Sequence, residues 1–181
     1  MRVYTKTGDD GSTGRFLGGR VSKADVLVEA SGDVDEAIAV LGLVRAGCQD
    51  DALAEDVLAR QRELFVVGAD LATNPDRRDR LEPGVSLVTA EMVAGLESLI
   101  DRLVAEQPLR PVFVVPGSDL TSARLDHART VVRRAERHVV GAQEAGHTVG
   151  SDALRYLNRL SDLLFVMARH AAGDVEPASH E

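Results

Sequence analysis

Apolar residues recur at helical spacing through most of the chain, and the breaks in that recurrence divide it into five segments. Over 33–46, Val34, Ile38, Leu41 and Val44 share one stripe and predict a first helix. Residues 51–73 repeat the pattern with Leu53, Val57, Leu64, Gly68 and Leu71, while Glu55, Arg60 and Arg62 lie off the stripe and are expected to face water. Asn74 to Gly84 sets a run of charge between Pro75 and Pro83 and reads as an exposed loop. Thr89 is the expected N-cap of a third helix, with Glu91 in its first turn and Met92, Leu96, Leu99 and Leu103 along one side as far as Gln107.

Pro108, Pro111 and Pro116 bracket the apolar run Val112 to Val115, which is too short for a helix and reads as an extended connector. Two longer helices are expected from Asp119 to about Ala145 and from Ser151 to about Ala172, with Ser151 as N-cap and Gly146 and Gly150 in the turn between them. No segment alternates well enough to predict a strand. The expected fold is all-α, an up-and-down five-helix bundle forming a single domain over 1–181. Residues 1–30 read as loop or hairpin and 174–181 as a polar tail.

Composition narrows the function. A formal charge of -8, two tyrosines, four phenylalanines and no tryptophan argue against nucleic acid, which calls for a basic face and rings to stack on. The apolar runs, such as Leu163 to Ala168, fall far short of the ~20 residues needed to span a bilayer. No basic, apolar leader follows Met1, so a soluble, cytoplasmic protein is expected. Cys48 is a single cysteine and supplies neither a disulfide framework nor a cysteine metal site. Lys6 and Lys23 are the two lysines among 21 basic residues, both near the start.

Around Lys6 the run Thr5-Lys6-Thr7-Gly8-Asp9-Asp10-Gly11-Ser12-Thr13-Gly14 combines glycines, hydroxyls, a lysine and two carboxylates. Glycines let backbone amides approach a phosphate, hydroxyls donate to it, a lysine adds a mobile charge, and aspartates can hold the waters of a magnesium ion. The run is neither a Walker A motif nor an EF-hand loop, and a tight hairpin turning at Asp-Gly is the competing reading.

In the fourth helix Arg129, Arg133 and Glu136 share a face, with Arg137 beside them and Asp126 one turn earlier. Val131, Val132, Ala135 and Val139 point elsewhere, so these arginines need anionic partners, either protein carboxylates or a polyphosphate. In the fifth helix Asn158, Asp162 and Arg169 form a polar line; Asn158 is open to a phosphate, an adenine or an interhelical hydrogen bond. Asp35 and Glu36 are read either as first-turn residues or as partners of a fourth-helix arginine. The five histidines show no zinc spacing and are read as surface or core residues.

Taken together, these segments resemble the cobalamin adenosyltransferases of the propanediol-utilisation type. The carriers are Tyr-Thr-Lys-Thr-Gly-Asp-Asp-Gly-Ser-Thr-Gly from residue 4, Gly-Asp-Val-Asp-Glu from 32, Phe-Val-Val-Pro-Gly from 113, Ala-Arg-Thr-Val-Val-Arg-Arg-Ala-Glu-Arg from 128 and Tyr-Leu-Asn-Arg-Leu-Ser-Asp from 156. Leu27, Ser31, Ala37, Ile38 and Val132 depart from the family's usual residues.

The resemblance implies a homotrimer that transfers the 5'-deoxyadenosyl group of ATP to cob(I)alamin, with magnesium, at sites between subunits. It implies that Thr5, Lys6, Thr7, Gly8, Ser12, Thr13 and Lys23 hold the triphosphate, and that Arg133, Glu136, Arg137 and Asn158 contact ATP, Glu136 through its magnesium. Arg129 would pair with Asp35 of a neighbouring subunit, and Phe113 would lie against the corrin and displace the lower axial ligand of cob(II)alamin. A cobalamin reductase and an adenosylcobalamin-dependent mutase are implied partners. Two other readings stay open: a catalytically weak paralogue binding ATP or corrinoid as carrier, chaperone or sensor, and a bundle whose charged stripes pair only with one another.

Overall fold

The computed structural model describes residues 4–180, apart from the side chain of Asp174. Five helices follow a short hairpin: β1 Ser12–Gly14, β2 Arg20–Ser22, α1 Val26–Gly47, α2 Asp51–Ala72, α3 Ala90–Glu106, α4 Leu120–Glu144 and α5 Ser151–Ala172. The strands pair antiparallel with Thr13 opposite Val21, so the opening segment holds a small sheet that its three-residue strands are too short to announce by alternation. The turn of this hairpin lies over 15–19, after the Asp-Gly pair instead of at it.

Three helices start on a polar side chain that accepts from the exposed first-turn amides, Asp25 for α1, Asp50 for α2 and Asp119 for α4, and Thr89 caps α3 in the same way. The fifth departs from expectation. Its cap is Gly150, which makes no side-chain cap bond, and Ser151 is the first helical residue. Space explains the choice, since a Cβ on Gly150 would lie 3.2 Å from Arg78 Nη2 and 3.3 Å from Asp70 Oδ2.

The first helix begins at Val26, a full two turns before Asp33. Leu27, Ala30 and Val34 continue its apolar stripe across Ser31 and Gly32. Asp33 breaks the pattern in the sequence and is nevertheless buried, because Arg134 Nε donates to it across 2.8 Å and His138 Nδ1 lies 2.5 Å from its other oxygen. Asp35 and Glu36 therefore sit in the middle of α1, not in its first turn; Glu36 is also paired with Arg134.

The helices alternate in direction, with α1 packed between α2 and α4, and α5 against α4 and α3. Leu41, Leu64, Leu96, Leu125, Leu157 and Leu160 are fully buried, each contributing about 2 kcal/mol by removal from water. Arg60, expected in solvent, is drawn in by α2 and α5: its side chain is 11% exposed and paired with Glu63, which in turn accepts from the buried Tyr156 hydroxyl at 2.5 Å. Burial, reinforced by the Glu63 charge, holds the Tyr156 phenol well above its ordinary range.

Two of the connections are more ordered than their composition suggests. The segment after α2 contains a 3-10 helix over Pro75–Arg80, and Arg78 donates to the fully buried Asp70 at 2.6 Å. Residues 176–179 do not trail away as a free tail. They lie antiparallel to the 113–115 connector, with Val115 N donating to Pro177 O at 2.9 Å and Ser179 N to Phe113 O at 2.8 Å.

Candidate functional site

The opening loop is folded on itself. Gly11 N donates to Gly8 O, and Lys23 N from the far side of the hairpin donates to Gly11 O at 2.9 Å. Lys23 Nζ stands over Gly8, 3.2 Å from where a Cβ would be, so a side chain at residue 8 would crowd the ammonium. Lys6 adopts a left-handed backbone with φ 61, which costs a non-glycine residue about 1 kcal/mol or more and marks a position where the loop is held against its local preference. Thr5 and Thr7 join through their hydroxyls at 2.8 Å, and Ser12 and Thr13 follow at the start of β1. The structure thus gathers Thr5, Lys6, Thr7, Gly8, Ser12, Thr13 and Lys23 into one loop.

Arg20 is the residue of this loop that the sequence did not single out. Its Nε donates to Ser12 Oγ at 2.9 Å, and its Nη2 reaches the Thr7 carbonyl, Ser12 Oγ and Asp10. Its place opposite Gly14 in the β2 register, invisible without the pairing, brings it there. Asp10 accepts from the Ser12 hydroxyl at 2.7 Å and the Ser12 amide at 2.9 Å; these bonds, with the Arg20 charge, hold its carboxyl below the usual range.

The loop is fastened to the α1–α2 side of the bundle. Phe16 N donates to Ala72 O, Asn74 N to Phe16 O, and the Asn74 side chain to Gly18 O at 3.0 Å. On the same side a hollow of about 310 Å³ opens between α1 and α2, bordered by Phe16, Asp35, Ile38 and Phe65. Phe65 is 63% exposed and Asp35 is exposed beside it.

The second group of expected residues lies on the α4–α5 side. Asn158 Nδ2 donates to Glu136 Oε1 at 2.8 Å, and Arg137 Nη1 donates to the Arg133 carbonyl at 3.0 Å. Arg133 and Arg137 are exposed and pair with no carboxylate among the described residues. Arg129, further along the helix, meets Asp126 of its own helix at 3.3 Å. Asp162 leaves the expected polar line for Arg159, at 2.7 Å, and Arg169 is buried against Asp126 and Glu176.

Among the described residues no hydrogen bond or ion pair joins the loop to the α4–α5 face, and Asp35 does not reach Arg129. Phe113 stands at the opposite end of the bundle from the loop, 86% exposed on the connector before α4.

Comparison with known proteins gives this arrangement its context. Residues 3–171 match the family model described as cobalamin adenosyltransferase. The chain belongs to the cobalamin adenosyltransferase family. Across 168 residues it is 44% identical to a corrinoid adenosyltransferase of Citrobacter freundii, covering 93% of each chain, and it is 41% identical over 185 residues to one from Bacillus subtilis, covering 97% of this chain and 92% of that one. Among solved structures it superposes with a TM-score of 0.87 on a variant of the PduO-type ATP:corrinoid adenosyltransferase of Lactobacillus reuteri complexed with cobalamin and ATP, at 31% identity over 98% of this chain and 97% of that one. A second variant of the same protein, complexed with ATP, gives 0.85 at 32% identity, over 97% and 98% of the two chains. In this adenosyltransferase no helix among the described residues is long and apolar enough to cross a membrane.

Proposed function

We propose that this adenosyltransferase moves the 5'-deoxyadenosyl group of ATP onto the cobalt of cob(I)alamin, using two half-sites contributed by different copies of the chain. One observation carries the reading: the loop with Lys6 and Lys23 lies on the α1–α2 side, while Arg133 and Arg137, without carboxylate partners among the described residues, lie on the α4–α5 side. Cations left without protein anions suit a polyphosphate, and two such groups on separate sides of one subunit can grip the same molecule only when two subunits meet. A head-to-tail contact of this kind builds a ring when its rotation closes, and closure after three copies gives a homotrimer. The hollow beside Phe16, Ile38 and Phe65 is the apolar part of that contact, and Asp35 at its edge pairs with Arg129 of the next subunit.

The reaction asks for placement and charge more than for a protein nucleophile. The cobalt(I) electron pair attacks C5' of ATP, a Co–C bond forms, the C5'–O bond breaks, and its electrons leave with triphosphate. Lys6, Lys23, Arg133 and Arg137 neutralise that leaving group, and Asn158, held by Glu136, fixes the nucleoside end. Among the described residues no three acidic, histidine or cysteine side chains converge on a metal position, so a magnesium ion would take most of its ligands from the phosphates and water, with Glu136 adding a carboxylate. Phe113 meets the corrin and keeps the lower axial ligand off cob(II)alamin, which eases its reduction to the nucleophile.

The deciding experiment is anaerobic incubation with chemically reduced cob(I)alamin and magnesium ATP, following loss of the reduced-cobalt absorbance. Formation of a photolabile alkylcobalamin and triphosphate is expected. Absence of product, with ATP still raising the melting temperature, would replace the enzyme by a binding protein.

A further inference from the structure

At the Phe113 end of the bundle three charged side chains are buried together. Arg169 of α5 is 9% exposed, Asp126 of α4 5%, and Glu176, beyond α5, 3%. Arg169 Nη2 donates to Glu176 Oε1 at 2.9 Å, its Nε lies 2.6 Å from Glu176 Oε2, and it also pairs with Asp126. Asp126 in turn meets Arg129 at 3.3 Å. From Glu176 onward the chain is committed to the connector: Arg110 donates to the Glu176 carbonyl at 2.7 Å, and Pro177 and Ser179 complete the pairing with Val115 and Phe113. The ring of Phe113 is solvent-facing, and among the described residues its backbone is held by pairing with this neighbouring strand.

We propose that Glu176 is a positioning residue for Phe113: seated on Arg169, it pins residues 176–179 as a strand against the connector, and that strand holds the Phe113 ring out into the substrate space. A lone connector bracketed by prolines has no partner for its amides and samples many ring positions; pairing one edge with 176–179 removes that freedom before substrate arrives. The same cluster reaches Arg129 through Asp126, so the strand behind Phe113 and the cationic face of α4 share one buried ionic junction.

The inference rests on the role assigned to Phe113 under Proposed function, and the test separates the two. Each variant is assayed by two routes with the full-length chain: adenosylation of chemically pre-reduced cob(I)alamin, and adenosylation starting from cob(II)alamin with reduced flavin as electron donor. Four-coordinate cob(II)alamin is followed by electron paramagnetic resonance with ATP present.

Glu176→Ala is expected to slow the cob(II)alamin route by about tenfold to a hundredfold, the cost of a small misplacement, while the cob(I)alamin route stays near the parent rate. Glu176→Gln keeps an acceptor for Arg169 and is expected to restore both the rate and the four-coordinate signal. Ser179→Pro removes the amide that donates to the Phe113 carbonyl without touching the buried cluster, and is expected to reproduce the Ala phenotype in a protein of unchanged melting temperature. Parent rates by both routes for Glu176→Ala and Ser179→Pro, or equal loss by both, would overturn the proposal. Should Phe113→Ala itself leave the cob(II)alamin route intact, the role of Phe113 fails first and the positioning role falls with it.

Discussion

The Asn158 side-chain amide donates to Glu136 across 2.8 Å, tying α5 to α4 on the face where Arg133 and Arg137 stand exposed, without carboxylate partners among the described residues. The bond fixes which way each polar end points: Glu136 Oε1 is taken up by Asn158, and Asn158 keeps its second N–H and its carbonyl oxygen for a ligand. Arg133→Ala is expected to reduce adenosyl transfer by about a hundredfold or more, the usual cost of removing a group that stabilises developing charge. Asn158→Ala should act chiefly on the Michaelis constant for ATP. Steady-state kinetics at saturating cob(I)alamin distinguish the two.

Lys6 holds a left-handed backbone at the mouth of the loop. Its replacement by alanine is expected to raise the Michaelis constant for ATP by about tenfold, as for loss of one charge-assisted hydrogen bond, with little change in the constant for cobalamin. Equal kinetics for variant and parent would return the loop to a purely structural hairpin.

Asp35 is exposed on the α1–α2 side beside Phe16 and Phe65, and Arg129 lies on the α4–α5 side. Asp35→Asn is expected to weaken assembly, seen as dissociation at higher protein concentration in sedimentation velocity, while leaving each subunit's helical circular dichroism unchanged. A variant that assembles and turns over like the parent would sever the Asp35–Arg129 pairing.

Asp70 is fully buried, accepts from Arg78 at 2.6 Å and from the Val88 amide at 3.1 Å, and faces Gly150. Asp70→Ala removes the anion from a buried pair and should destabilise by about 3 kcal/mol. Gly150→Ala should also lower the melting temperature, because residue 150 is the N-cap of α5, where alanine is a poorer residue than glycine, and its Cβ would stand 3.2 Å from Arg78 Nη2 of the same pair. Thermal unfolding followed at 222 nm checks both.

Two carboxylates should respond to pH with opposite sign. Burial, opposed by the Arg169 charge and aided by Asp126, pushes Glu176 above its ordinary range. Its contribution to stability is therefore greatest below the ordinary glutamate range and is lost as pH rises through the raised value. Against the parent, Glu176→Gln is expected to gain in melting temperature towards neutral pH and to lose that gain on acidification.

Asp119 also feels burial, but its hydrogen bonds with Ser122 and the Thr121 amide outweigh this and hold it low. Asp119→Ala should cost about 1 kcal/mol near neutrality, and the difference should shrink as acid titrates Asp119 in the parent.

The helices from α2 onward were legible because their apolar stripes and caps are local: Thr89 and Asp119 start α3 and α4 where a first-turn amide needs an acceptor. The start of α1 was hidden, since Asp33 looks like a boundary until Arg134 and His138, a hundred residues away, bury it. Arg20 was missed for the same reason, its role being set by register across the hairpin.

By itself the sequence determined which side chains carry charge, hydroxyl or aromatic character, the approximate helices from α2 to α5, and through its motifs the family of the chain. Only the tertiary structure decided that Lys6 and Arg133 occupy different sides of the chain, that Arg169 leaves the polar line of α5 to meet Glu176, and that residues 177–179 pair with the Phe113 connector. The division follows from range. Periodicity and capping act within a few residues, whereas burial of a charge is tolerable only when a distant partner arrives to neutralise it.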